Sequence, residues 1–143
     1  MDLARFRYDL RQFLSFSERA ARQAGVTPQQ HQLMLGVAGF TGRGWATISE
    51  LAEFLQARHN AVVGLVNRAR RKGLVRKKPV TADMRFMRVE LSPKGRSILL
   101  RLSALHQREL GKSPMRVGGY LANLMSHTEM RHQPRTLKSS ERK

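Results

Sequence analysis

The sequence contains no cysteine among its 143 residues. Disulfide bonds, thiolate metal ligands, cysteine nucleophiles and redox sensing through cysteine oxidation are therefore excluded. No two of the five histidines are four residues apart, the separation at which one helix presents two imidazoles to a metal ion. Without thiolates and without such a pair, we predict no metal site.

Acidic residues are scarce, with ten Asp and Glu in total. No pair of them suggests catalytic carboxylates, the Ser and His residues show no spacing typical of a triad, and no glycine-rich phosphate loop is present. The sequence therefore predicts neither an enzyme nor a bound cofactor. No stretch approaches the roughly 18 apolar residues of a membrane span, and the first ten residues lack the apolar core of a secretory signal. We expect a cytoplasmic protein with no membrane partner.

Basic residues are abundant: 27 Lys and Arg give a formal net charge of +17. Residues 54–82 contain no acidic residue but carry eight Lys and Arg. Such clustered charge is typical of proteins that bind a polyanion, either nucleic acid or an anionic membrane. The clustering favours nucleic acid over a merely soluble basic surface.

Hydrophobic spacing predicts a mainly α-helical chain with one small β-hairpin. Thr47 and Glu50 have the spacing of a capping box, and Ser92-Pro93 has the cap-then-proline pattern of a helix start. Strands are predicted over about 74–78 and 86–91, where apolar and polar residues alternate. Helices are predicted over about 3–24, 28–40, 48–56, 59–72 and 93–110, with a weaker one from about 114.

The order of helix, tight turn, helix and hairpin is typical of a winged helix-turn-helix, whose second helix enters the DNA major groove. Asn60 suits an adenine edge, and Ala61 suits a thymine methyl group. A capping role for Asn60 is an equal alternative, as is simple tolerance of Gly64 at the surface rather than close approach to DNA. The predicted contacts with DNA here are Arg58, His59, Asn60, Ala61, Gly64, Asn67, Arg68 and, in the hairpin, Lys77.

These motifs closely resemble the MarR family of bacterial transcriptional regulators. The resemblance rests on Ile48–Ala52, Arg71–Val75, Asp83–Arg85 and Leu91–Gly95, and it spans roughly residues 6–110. It implies a winged helix-turn-helix that dimerises through its N- and C-terminal helices, with Arg85 in the minor groove and Asp83 positioning it or its neighbours. Arginine is attracted to narrow minor grooves independently of the resemblance. The expected dimer contacts are Phe6, Leu10, Phe13, Leu102, Leu121 and Leu124.

The resemblance also divides the chain into regions. Residues 27–92 are expected to bind DNA, and residues 1–26 and 93–130 to form the helical dimerisation region. Residues 131–143 are a basic tail that we expect to be disordered. Residues 111–119 lack the acidic start that the family's final helix usually has.

Members of the family are often released from DNA by small aromatic or phenolic molecules. Four apolar residues are candidates to line a pocket for such an effector: Phe13, Phe16, Met34 and Phe40. The alternative is that these side chains belong only to the hydrophobic core, which is what an apolar helix stripe ordinarily indicates. His106 is interpreted as a packing or interface residue.

The sequence thus predicts a regulator that binds specific double-stranded DNA as a homodimer, most simply a repressor at a pseudo-palindromic operator. The alternative is a basic architectural protein that binds DNA without sequence preference. The mixed polar and apolar residues around Asn60 favour the specific binder, because an architectural surface would be more uniformly cationic.

Overall fold

The computed structural model of the chain describes residues 2–80 and 86–112. Helix α1, Leu3–Gln23, begins where the Asp2 carboxylate accepts hydrogen bonds from two backbone N–H groups. It ends just before Gly25, as the sequence predicts. Helix α2, Pro28–Leu35, starts at a capping box between Thr27 and Gln30. It continues as a π-helical turn, Gly36–Phe40, so the predicted helix is confirmed but its last turn is wider than expected.

Helices α3, Ile48–Leu55, and α4, His59–Arg71, form the helix-turn-helix. The predicted capping box of α3 is present, with Thr47 Oγ1 accepting from the Glu50 N–H and Glu50 Oε1 accepting from the Thr47 N–H. The turn between the helices is short because Gln56 adopts a left-handed backbone conformation, with φ 49° and ψ 46°. This tight reversal sets α4 beside α3 and leaves the first turn of α4 exposed to solvent.

The sheet has three antiparallel strands, β1 (Trp45–Thr47), β2 (Val75–Pro79) and β3 (Met87–Leu91), in the order β1-β3-β2. Strands β2 and β3 are the predicted hairpin. Strand β1 was not predicted, and it pairs with β3 so that Ala46 lies opposite Val89. Both of these side chains are fully buried, which fixes one face of the sheet against the helices.

Helix α5, Pro93–Lys112, is fastened to the segment that follows α4. The Ser92 hydroxyl donates to the Gly73 carbonyl and accepts from the Gly95 N–H, and the Ser92 N–H donates to the Leu74 carbonyl. A Cβ atom at Gly95 would lie 2.0 Å from the Leu74 carbonyl oxygen. Only glycine therefore permits this close contact between α5 and the backbone at Leu74.

One hydrophobic core joins all these elements, with Leu33, Val37, Leu51, Val66 and Val89 having no exposed surface. Leu102, predicted at the dimer interface, is also part of this core and is fully buried in the single chain. Leu102 lies on the face of α5 that packs against the rest of the same chain, so its burial does not require a second copy.

Several predicted features lie outside the described residues: Asp83 and Arg85 at the wing tip, the weaker last helix with Leu121 and Leu124, and the basic tail. The regional boundaries drawn from the sequence stay predictions. Within residues 2–80 and 86–112, no helix is both long and apolar enough to cross a membrane.

Candidate nucleic-acid interface

The first turn of α4 is open to solvent. Its N-cap residue, Arg58, makes no side-chain capping hydrogen bond, and the following residues His59, Asn60 and Ala61 are exposed. In the part of the chain that the structure describes, no hydrogen bond engages the Asn60 side chain. The positive end of the helix dipole and the free N–H groups of this turn thus face outwards, an arrangement that suits a phosphate group.

Gly64 lies one turn further along α4. A Cβ atom here would come within 3.3 Å of Arg68 Nη1. The missing side chain therefore leaves room for the Arg68 guanidinium to lie back along the helix surface. An added Cβ would displace only the end of this flexible side chain, so both interpretations drawn from the sequence stay open.

Asn67 and Lys77, both predicted to contact DNA, are brought together by the fold. Lys77 Nζ donates to Asn67 Oδ1 at 2.8 Å, so the ammonium of β2 is tied to the middle of α4. Burial, with repulsion from Arg70, lowers the pKa of the Lys77 ammonium. Both side chains are half-buried, and their bond fixes the wing relative to the helix.

The other cations at and along α4 have no carboxylate partner among the residues that the structure describes. Within the described residues, Arg58, Arg68, Arg70 and Arg71 form no ion pair with any carboxylate, and all four are exposed. These exposed arginines give α4 the electrostatic character expected of a DNA-binding helix.

A second basic cluster, on the outer face of the sheet, was missed by the sequence reasoning. Arg43 Cζ lies 3.9 Å from the centre of the Trp45 ring, and Arg88 Cζ lies 5.8 Å from it. The one sign of this cluster in the sequence is Arg43, which lies between two glycines and two residues before the chain's only tryptophan. The cluster was not predicted because strand β1 was not predicted, and Arg88 comes next to this loop only through the pairing of β1 with β3.

The aromatic candidates for an effector pocket divide into separate groups. Phe13 and Phe16 of α1 pack edge-on against His106 of α5, with ring centres 5.8 and 5.4 Å away. His31 lies 5.1 Å from the same imidazole. Of the other two candidates, Met34 is fully buried, whereas Phe40 packs against a phenylalanine of α3.

His106 is held by hydrogen bonds from both ring nitrogens. Because a carbonyl oxygen only accepts, Nδ1 carries the proton that is donated to the Leu102 carbonyl at 2.6 Å. Nε2 faces the Ser17 hydroxyl at 2.8 Å. Burial lowers the pKa of His31, and the neighbouring His106 lowers it further. His106 therefore packs within the chain, which is one of the two roles that the sequence left open, and an interface role stays a prediction.

Helices α1 and α5 also carry apolar side chains that the core does not cover. Leu10 and Leu14 on α1 are 40% and 47% exposed, and Leu100 and Leu105 on α5 are 66% and 39% exposed. Phe6 and Phe13, two predicted dimer contacts, are half-buried. These two helices therefore carry several apolar side chains that water contacts in the single chain.

Residues 24–85 match the family model of the MarR family. This segment contains α2, β1, the helix-turn-helix and the first strand of the wing. No curated protein sequence matches the chain.

Solved structures share the fold. A MarR family protein from Bacillus stearothermophilus is 22% identical, with a TM-score of 0.69 over 87% of this chain and 89% of that one. A mutant of MarR from E. coli complexed with operator DNA is 17% identical, with a TM-score of 0.67 over 89% and 90%. The M. tuberculosis transcriptional regulator MOSR in complex with DNA is 28% identical, with a TM-score of 0.58 over 89% and 95%. The chain therefore has the winged-helix fold of these regulators.

Proposed function

Because residues 24–85 match the family model of the MarR family, we propose that this chain is a transcriptional regulator that binds specific double-stranded DNA through α4. The observation that carries the proposal is the open first turn of α4, where Asn60 has no hydrogen-bond partner in the described residues. A side chain that neither caps the helix nor bonds within the protein is available to a base edge.

Sequence preference distinguishes this function from architectural DNA binding. Around Asn60 the exposed surface includes an imidazole and a methyl group as well as guanidinium groups, which supports recognition of bases in addition to phosphates. An architectural protein would bind all duplexes with similar affinity, and its binding would depend mainly on salt concentration.

Footprinting on the DNA upstream of the chain's own gene tests the proposal. We expect a protected segment with two related half-sites, and binding to this duplex at least about 1,000-fold tighter than to a scrambled duplex at the same salt concentration. Equal affinity for the two duplexes, with the same salt dependence, would show architectural binding and overturn the proposal.

We further propose that the active form is a homodimer, so that two α4 helices meet half-sites about one helical turn apart. The exposed leucines Leu10, Leu14, Leu100 and Leu105 support this, since a second copy would remove them from water. Sedimentation at micromolar concentration should give twice the chain mass. Replacing Leu10 and Leu14 with Glu should shift the protein to monomer and lower operator affinity, while a monomeric wild-type protein would contradict the proposal.

Repression with release by a small aromatic effector completes the proposed mechanism. A bound dimer would block polymerase at a promoter, and the ring cluster of Phe13, Phe16 and His106 is where an aromatic ligand would find stacking partners. Salicylate is a suitable probe. It should weaken operator binding by the wild type and not by a Phe16→Ala variant, whereas equal weakening of both would place the effector elsewhere.

A further inference from the structure

The outer face of the sheet is a surface distinct from the α4 face. Side chains alternate along each strand, so the neighbours of the buried Ala46 and Val89 point away from the core. Trp45 and Arg76 both lie opposite Glu90 in the register, and Lys78 lies opposite Arg88. These outward residues therefore form a continuous face on the side of the sheet opposite the buried Ala46 and Val89.

This face borders a concavity of about 550 Å³ at the start of α5. Four guanidinium groups and a single carboxylate line it, so the local charge is strongly positive. The charged lining residues are Arg43, Arg76, Arg88, Arg96 and Glu90. Its size falls within the range of small-molecule sites, which runs from about 300 to 1,000 Å³.

Two of the four arginines are fixed in place. The Arg43 guanidinium lies over the Trp45 ring and forms an ion pair with Glu50, and the Arg88 guanidinium pairs with Glu90 at 3.4 Å. The Nε–H of Arg88 is buried and has no hydrogen-bond partner. These contacts orient the two groups before any ligand arrives, which reduces the entropy lost on binding.

The other two arginines are held less closely, although Arg76 lies near enough to Glu90 to help lower the pKa of that carboxyl. Within the described residues, Arg76 and Arg96 form no ion pair or side-chain hydrogen bond, and both are exposed. They approach the concavity from different elements, β2 and α5. A ligand that satisfied them would have to carry several acceptor oxygens, because each guanidinium donates hydrogen bonds as a planar fork.

We infer that this concavity binds the phosphoryl groups of a small, multiply charged anion. Phosphoryl oxygens match the number and planar geometry of the guanidinium donors, and a single carboxylate would leave most of the positive charge uncompensated. A small ligand is favoured over duplex DNA because the four guanidinium groups line one concavity of about 550 Å³, whereas a duplex requires an extended basic surface. The inference does not depend on the proposed DNA-binding function.

Trp45 provides a direct assay, because it is the only tryptophan in the chain and contacts Arg43. The full-length protein is titrated with inorganic pyrophosphate while tryptophan fluorescence is recorded, at ionic strength kept constant with sodium chloride. We expect a saturable change, and we expect Arg76→Ala and Arg96→Ala each to weaken binding at least tenfold. Arg101→Ala, which removes the same charge from an exposed position of α5, should leave the titration unchanged.

Three outcomes would overturn the inference. The first is a change that follows ionic strength alone, which would indicate screening rather than a site. The second is an equal loss of binding in the Arg101→Ala control, which would indicate general attraction to a basic protein. The third is a fluorescence response to a short DNA duplex but not to pyrophosphate, lost in Arg96→Ala, which would make the surface a DNA contact. Thermal melts that match the wild type confirm that the variants are folded.

Discussion

The chain presents two basic surfaces that differ in how their cations are held. On α4, Arg58, Arg68 and Arg71 have no carboxylate partner within the described residues. On the outer face of the sheet, Lys78 and Arg88 both pair with Glu90. Unpaired surface cations attract a polyanion at long range and are screened by salt, whereas paired cations are oriented but partly neutralised.

The difference shows that charge alone does not define the function of a basic surface. The α4 surface is suited to a polymer whose phosphates can adjust to mobile side chains. The outer sheet surface, with Trp45 and two carboxylates fixing its arginines, is suited to a compact ligand that must match a fixed arrangement. Sequence reasoning detected the first surface because it is contiguous in the chain, and missed the second because three strands and a helix assemble it.

The largest effect is expected where the start of α5, which borders the outer sheet surface, packs against the segment that follows α4. Gly95→Ala would place a Cβ atom 2.0 Å from the Leu74 carbonyl oxygen, where no flexible side chain can move aside. We expect a loss of about 3 kcal/mol in the free energy of unfolding, the upper range for overpacking. Urea denaturation at fixed protein concentration measures it.

Gly111→Ala is the matched control for this variant. It lies in the same helix and has no atom within 4 Å of the added Cβ. It should raise stability by up to about 1 kcal/mol, because alanine favours helix more than glycine does. If both variants unfold at the same urea concentration, the close contact at Gly95 does not exist in solution.

A smaller effect is expected at the first turn of α4. Asn60→Ala should cost about 1–3 kcal/mol in binding to the operator identified by footprinting, because one amide contact to a base is lost. Affinity for scrambled DNA should stay nearly the same, since the α4 arginines remain. Fluorescence anisotropy with both duplexes measures the contrast, and an equal loss on both would assign Asn60 to the DNA backbone.

Much of the fold was predictable because its signals are local. The capping box at Thr47 and Glu50 and the helix start after Ser92 depend on residues within one helical turn, and both are present in the structure. Strand β1 has only three residues, too few for alternation to be recognised, and it exists because β3 offers it a hydrogen-bonding edge. The glycine requirement at residue 95 likewise depends on a carbonyl 21 residues earlier in the chain.

The sequence predicted which residues belong to the candidate site but not the contacts between them. The exposed start of α4 follows from the helix-turn-helix pattern. The bond between Lys77 and Asn67 does not, because the sequence shows both as polar residues available to DNA. Only the packing of β2 on α4 reveals that each already has a partner in the protein.

One cation from each surface can be removed and the effects on DNA binding compared. Arg68→Ala should reduce the slope of log K against log salt concentration by about 1 per subunit on non-specific DNA, as one phosphate contact is lost. Arg88→Ala removes the same formal charge from the outer sheet face and should leave the slope unchanged. Fluorescence anisotropy titrations between 50 and 200 mM salt measure both slopes. DNA affinity falls steeply over this range, because about one counterion is released for each phosphate contact. Equal reductions would mean that DNA reaches both surfaces.

The smallest effect concerns the carboxylates of the outer sheet surface. The backbone N–H of Thr47 lowers the pKa of Glu50, with help from Arg43, and a hydrogen bond from Lys78 lowers the pKa of Glu90. A carboxyl group whose pKa is lower in the folded state stabilises the fold above its unfolded pKa, here near 4.5, and this stabilisation is lost as the pH falls through the folded pKa. Acid below about pH 4.5 should therefore weaken the fold through these two groups.

Glu90→Gln tests this dependence because it removes the titrating group and keeps the shape. It should flatten the decline of stability below about pH 4.5 by roughly 0.5 kcal/mol, the scale of exposed ion pairs. Glu53→Gln is the charge-matched control, since Glu53 is exposed and forms no ion pair within the described residues. Urea denaturation across this pH range measures the slopes, and Trp45 fluorescence should change with the Glu90 titration as Arg88 loses its partner. If Glu53→Gln flattens the decline as much as Glu90→Gln, the ion pairs of Glu90 do not make the outer sheet surface more sensitive to acid than the rest of the protein surface.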